Sequence, residues 1–176
     1  MPGEHLQAQA RRVVAGVAAD GRSEIVSDAN TTVRAATAGF TTCQIWQLDS
    51  MPPMVDQDDA SGVEASIAPP AGGFIYMLTT FPPDSEWDAD SYREALAAAG
   101  DADAYRDGDG EIAGLHQTDT VDIITVLSGE IYAVLEHGET LLSPGDSFIQ
   151  RGTKHAWSNR GSKPCTIVAV MAGADR

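Results

Sequence analysis

Apolar and polar residues alternate along most of this chain with the period of two that puts successive side chains on opposite faces of a β-strand. In the first third, Arg12-Val-Val-Ala and Ser23-Glu-Ile-Val flank Asp20-Gly21, a dipeptide suited to a tight hairpin. Two further strands are expected over residues 41–48 and 73–81, the second with Phe74, Tyr76 and Leu78 on one face. Between them, residues 50–72 hold four of the nine prolines, so they read as a loop that wraps the surface or covers an opening.

Helical spacing is rare. One segment, about residues 91–99, carries helix signals, with Asp90 as N-cap and Gly100 just past the end. So short an element is expected at the periphery. The acidic stretch that follows, residues 101–111, lacks the alternating ligands and closing acid of an EF-hand and reads as a solvated loop.

From Gly114 onward the chain becomes short strands, at residues 122–127, 130–136, 140–142, 147–150 and 165–171, broken by Gly-centred turns at Gly129, Gly138, Gly145 and Gly161. Such a meander closes most economically as a barrel or sandwich. The expected architecture is an all-β antiparallel barrel over residues 112–174, with the strands, loop and helix of residues 1–111 packed on it in one domain. Parity then places His116, Thr118 and Asp122 on the face that continues through Ile124 and Val126, a polar floor beside an apolar wall.

These residues carry a family resemblance. Gly114-Leu-His116-Gln-Thr118-Asp-Thr-Val-Asp122, followed by six residues and Gly129, resembles the first motif of the cupin superfamily: His-x-His, three or four residues, Glu, six residues, Gly. Gly145-Asp146 and Gln150-Arg-Gly152-Thr-Lys-His155-Ala-Trp-Ser-Asn159 resemble the second. The resemblance implies a cupin jelly roll with an N-terminal strand extension and a lumenal site at His116, Asp122 and His155. Thr118 stands where the second His would be, and Asp122 where Glu is usual. The remaining two His and one carboxylate have the composition of a site for one divalent metal, Fe, Mn, Ni or Zn, and equally of an acid-base site. Thr118, Gln150, Trp157 and Asn159 are the expected substrate contacts, with Gln150 an inward amide donor and Trp157 also suited to core or dimer packing. His137 is expected in solvent at a hairpin tip, and His5 in a fraying tail.

Composition narrows the function. The formal net charge of −15 disfavours nucleic acid and anionic membrane surfaces as partners. There is no signal-peptide pattern and no apolar run of bilayer length, so a cytoplasmic protein is expected. Cys43 and Cys165, far apart and outside any Cys-x-x-Cys spacing, read as small buried residues. No nucleophile elbow, phosphate loop or dinucleotide fingerprint occurs. Three classes remain: a small-molecule lyase or isomerase of dehydratase type, a mononuclear metal dioxygenase, and a non-catalytic ligand-binding cupin. A homodimer is expected, with N-terminal strands extending one sheet and adding to its surface.

Overall fold

A computed structural model describes residues 2–105 and 112–176. In chain order the strands are β1 (Arg11–Val17), β2 (Ser23–Asn30), β3 (Arg34–Ala36), β4 (Thr41–Leu48), β5 (Phe74–Phe81), β6 (Thr120–Ser128), β7 (Ile131–Leu135), β8 (Glu139–Leu142), β9 (Ser147–Arg151), β10 (His155–Ser158) and β11 (Cys165–Gly173). A single α-helix among the described residues, α1 (Ala89–Ala98), lies between β5 and β6. The molecule is an all-β antiparallel jelly roll, in which a six-stranded sheet ordered β3-β4-β5-β11-β6-β9 faces a three-stranded sheet ordered β10-β7-β8. Every pairing is antiparallel.

The alternation seen in sequence is the alternation of burial. On β6, Thr120, Asp122, Ile124 and Val126 are buried, while Val121, Ile123 and Leu127 are exposed. On β5, Ile75 and Met77 point inward and Phe74, Tyr76 and Leu78 are half-buried on the other side. Inward residues of both sheets, among them Ile75, Val126, Ile131, Ala133, Trp157 and Ile167, meet in one core. Gly129 sits where β6 turns into β7 with φ of 74°, and a Cβ there would lie 2.8 Å from the Cys165 Cα, so the turn tolerates no side chain. Cys43 and Cys165 are free and buried. No helix among the described residues is long and apolar enough to cross a membrane.

Three expectations are corrected, those for the helix cap, the helix position and His5. Of the N-terminal strands, β3, β4 and β5 extend the barrel sheet, whereas β1 and β2 pair only with each other. Residues 34–36 and 155–158 are strands too short to register as a pattern. The helix is capped by Asp88, not Asp90: the Asp88 carboxylate accepts from the Ser91 N–H at 2.8 Å, and the Ser91 hydroxyl accepts from the Asp88 N–H at 2.9 Å. Asp90 lies in the first turn and pairs with Arg93. Nor is α1 peripheral, since Tyr92, Ala95 and Leu96 form an apolar stripe buried in the core. Finally, His5 does not fray. It is 3% exposed and donates from Nε2 to the Thr37 carbonyl at 2.9 Å. Of the acidic stretch, residues 106–111 lie outside the described residues; residues 102–104 form a 3₁₀ turn.

Candidate functional site

His116 precedes β6 and His155 opens β10, and their backbones exchange two hydrogen bonds, N–H to O at 2.9 and 3.0 Å. Directly opposed residues of an antiparallel pair project to the same face. The two imidazole rings accordingly lie 4.1 Å apart by centroid. Tyr92 from α1 packs 5.8 Å from the His116 ring, and Trp157 meets the His155 ring edge-on at 5.6 Å.

Each ring has its tautomer set from behind. Gly114, at φ of 73°, turns its carbonyl back to within 2.9 Å of His116 Nδ1, and a Cβ at that glycine would press on the Trp87 and Tyr92 rings at 3.3 and 3.4 Å. A carbonyl only accepts, so His116 is protonated on Nδ1 and presents a lone pair on Nε2. His155 is the reverse. Gln150 Nε2 lies 2.7 Å from His155 Nδ1, and the amide's orientation is fixed because Nε2 also donates to the Thr153 carbonyl at 2.6 Å while Oε1 accepts from the Thr153 hydroxyl at 2.8 Å. That carbonyl also lies 3.1 Å from Nδ1 and favours the other tautomer, but the shorter amide contact decides. His155 Nδ1 therefore accepts, and its proton sits on Nε2.

Asp122 completes the polar wall. It is 2% exposed, and its Oδ1 is buried without a hydrogen-bond partner among the described residues. Burial pushes its carboxyl up to about 6, opposed by the Thr120 hydroxyl. Burial lowers His116 to about 4 against the pull of the Gly114 carbonyl. His155 is held well below the ordinary imidazole range by burial first and by neighbouring His116 second, opposed by the Thr153 carbonyl. At neutral pH both rings are thus uncharged and Asp122 is largely ionised.

The three residues and Thr118 line one cavity with about 540 Å³ of atom-free space, of which about 60 Å³ admits the centre of a water molecule. An occupant of the cavity as it stands is therefore small. Its apolar wall comes from Met77 and Phe81 on β5, Ile167 and Ala169 on β11, Tyr92 and Leu96 on α1, and Ile67 from the proline-rich loop. Thr79 adds a hydroxyl. Sequence reasoning missed the contribution of α1 and β5, although the 92, 95, 96, 99 spacing was a visible signal for the helix.

The expected substrate contacts divide. Thr118 and Trp157 line the cavity, with the Thr118 hydroxyl tied to that of Thr120 at 2.7 Å. Gln150 does not line it; it stands behind His155 and sets that ring's tautomer. Asn159 is also outside the wall, because its side chain ties a turn, donating to the Phe81 and Lys163 carbonyls at 3.3 and 2.9 Å and accepting from the Gly161 N–H at 3.0 Å.

His116, Asp122 and His155, the expected metal donors, all line the cavity. Among the described residues no three His, Cys, Asp or Glu side chains come close enough together to hold a metal ion. The hydrogen bonding opposes it as well, since Gln150 places a proton on the His155 nitrogen that a metal would need.

Comparison with known proteins places the chain. The family model for the cupin domain matches residues 106–171. The chain is 49% identical over 47 residues to Phomopsin biosynthesis cluster protein C' of Diaporthe leptostromiformis, a match covering 26% of this chain and 25% of that protein. It is 47% identical over 45 residues to Oryzines biosynthesis cluster protein J of Aspergillus oryzae, covering 25% of each. The matched segment thus spans about a quarter of the length of these curated relatives. Among solved structures, the Cnp3 cupin domain of Schizosaccharomyces pombe is 10% identical over 94% of this chain and 89% of that one, with a TM-score of 0.48. His116, Thr118, Asp122 and His155 lie within the matched segment, which is similar to the cupin domain over residues 106–171.

Proposed function

We propose that this protein is a metal-independent lyase or isomerase, of dehydratase type, that moves a proton on a small carbonyl compound within the barrel. The observation that carries the reading is the unpartnered Oδ1 of Asp122, a buried acceptor with no structural use, beside two imidazoles that offer opposite hydrogen-bonding faces. A carboxyl lifted to about 6 is matched to proton transfer near neutral pH. The histidines, neutral at that pH, serve as hydrogen-bonding groups.

In this mechanism His155 Nε2–H donates to the substrate's carbonyl oxygen, where negative charge develops, and the largely apolar wall around it strengthens that bond. His116 Nε2 accepts from a substrate hydroxyl and fixes its direction. The Asp122 carboxylate takes the proton from the carbon next to the carbonyl, leaving an enolate. The resulting carboxylic acid then gives the proton either to the departing hydroxyl, releasing water and a carbon–carbon double bond, or to another carbon, completing an isomerisation. Both outcomes return Asp122 to its ionised form.

A small-molecule substrate accords with the relatives' names, which are those of proteins of biosynthesis clusters. A mononuclear metal dioxygenase is the weaker reading because the donor set does not converge. Incubation of small hydroxy-carbonyl compounds with the protein in D₂O, followed by NMR, tests the proposal. Deuterium should enter at the carbon next to the carbonyl, and Asp122→Asn should abolish its entry while binding survives. Compounds that bind without exchange or turnover would instead mark a ligand-binding protein, and exchange undiminished in Asp122→Asn would remove Asp122 from its role.

A further inference from the structure

Six rings line the cavity, and their contacts close on themselves. Tyr92 meets Phe40 at 5.5 Å between centroids, Phe40 meets Phe81 at 6.2 Å, and Phe81 meets Trp157 at 6.1 Å. The contacts of Trp157 with His155, His155 with His116, and His116 with Tyr92 complete the circuit. Phe40 stands at the head of β4, Phe81 ends β5, Tyr92 lies on α1 and Trp157 on β10, so the belt exists only in the assembled fold. Rings that serve packing alone fill the space between them, whereas these border atom-free space.

Charge gives the belt a sign. Asp122 lines the same cavity with Oδ1 unpartnered, and among the described residues no Lys or Arg lines it. The two imidazoles are uncharged at neutral pH. An alkylated ammonium group answers both features at once. Aromatic rings attract it through their quadrupoles, it brings no N–H that an apolar wall would leave unpaired, and its charge offsets that of a desolvated carboxylate. Approach has the same preference. Thr118 lines both the cavity and an outer groove that also carries Asp101, Asp103, Asp119 and Asp175. Even with Asp119 paired to Arg176, that groove on a chain of net charge −15 attracts cations and repels anions.

We propose that the cavity recognises a small organic cation, with a fully alkylated ammonium group held in the belt of Phe40, Phe81, Tyr92 and Trp157 and balanced by Asp122. This assignment rests on the reading of the cavity as a small-molecule site and narrows its substrate to carbonyl compounds that bear such a group. A positive charge close to the carbonyl also stabilises the enolate that the proposed proton transfer forms.

Choline and its carbon analogue, in which carbon replaces the quaternary nitrogen, share a shape and differ in charge. Isothermal titration calorimetry on the full chain should show choline binding about ten-fold or more tighter than the analogue, as a desolvated cation over aromatic rings would. Phe81→Leu and Trp157→Leu each keep an apolar side chain and remove a ring, so each should weaken choline several-fold and leave the analogue unchanged. Circular dichroism melting checks that the variants fold, and the wild-type comparison needs no variant. Equal affinities for choline and its analogue would overturn the proposal, as would no binding of choline at millimolar concentration or undiminished affinity in both leucine variants. Selective choline binding by a protein that exchanges no deuterium into any carbonyl compound would uphold the cation site and remove the lyase. Exchange into neutral carbonyl compounds, with no preference for those bearing an ammonium group, would do the reverse.

Discussion

The two faces of the sheet that carries β6 sort their residues against the usual rule, and in opposite senses. Inward, the strand offers Asp122 to the cavity, with Thr120 buried beside it; outward, it offers Val121, Ile123 and Leu127 to solvent. An antiparallel sheet with one wet face ordinarily reads apolar inward and polar outward. Each departure costs free energy, the first by desolvating a carboxylate and the second by exposing apolar area, so each marks a surface kept for something other than holding the fold. The inner one fits a reacting molecule and the outer one a macromolecular surface.

Breaking the inner departure should have the largest effect. Asp122→Asn is expected to lower turnover by roughly a hundred-fold to ten-thousand-fold, the usual loss for a general acid or base. The same change should stabilise the protein at neutral pH, because a carboxyl moved from 3.8 to about 6 by burial is worth about 3 kcal/mol against the folded state once ionised. A variant that is less active and also less stable would mean that Asp122 serves the fold. Kinetics and urea unfolding at pH 7.5 on one preparation decide it.

The pH dependence of stability sharpens the point. Asp122, with its folded value raised, contributes stability below about 3.8 that is lost as pH rises through about 6. His116, lowered to about 4, contributes stability above 6.5 that is lost as pH falls through about 4, and His155 acts in the same direction. Two histidines outweigh one carboxyl, so the wild-type chain should lose stability between pH 6.5 and 4. Asp122→Asn should steepen that loss and His116→Gln should flatten it. Unfolding midpoints that vary identically in all three proteins would contradict the assigned shifts.

Gln150 predicts a smaller effect, because it acts through His155. With Gln150→Leu the Nδ1 of His155 loses its donor and turns to the Thr153 carbonyl, moving the proton off Nε2. Turnover should fall by roughly a hundred-fold or less, as expected of a misaligned group. The imidazole ¹⁵N shifts should report the exchanged tautomer, a change that simple loosening of the fold would not produce. Gln150→Glu, which keeps the length but removes the donor, should behave like Gln150→Leu.

How legible all this was depended on the range of the signal. Period-two alternation located most of the strands and put His116, Thr118 and Asp122 on the inner face, because strand geometry is local. The same reasoning could not find β3 or β10, at three and four residues, nor tell that β4 and β5 rather than the first hairpin continue the sheet, since pairing partners are chosen by tertiary contact. Gln150 was legible as an inward-facing amide, but its actual object, a ring five residues away across a turn, was not. Metal binding by His116, Asp122 and His155 was not legible for a related reason. Sharing a face is a matter of parity, whereas converging on one ion is a matter of angstroms.

The smallest expected effect follows from that last distinction. Ligand that binds only the folded state at a hundred times its dissociation constant stabilises by about 2.7 kcal/mol, which raises the melting temperature of a chain of this length by about 5 to 10 °C. If His116, Asp122 and His155 do not converge, then Zn²⁺, Mn²⁺ or Fe²⁺ at micromolar concentrations should shift the wild-type melting temperature by less than about 1 °C, below what such occupancy would give. Chelator should leave turnover unchanged. Thr118→His is the comparison that gives this result meaning, because it adds an imidazole on the face that already holds His116 and supplies the donor whose place Thr118 occupies. A zinc-dependent rise in that variant alone would show that the inner wall lacks only a ligand. A rise in the wild-type chain would show instead that its side chains move together to grasp a metal, and the proton-transfer reading of Asp122 would then have to yield to a metal-centred one.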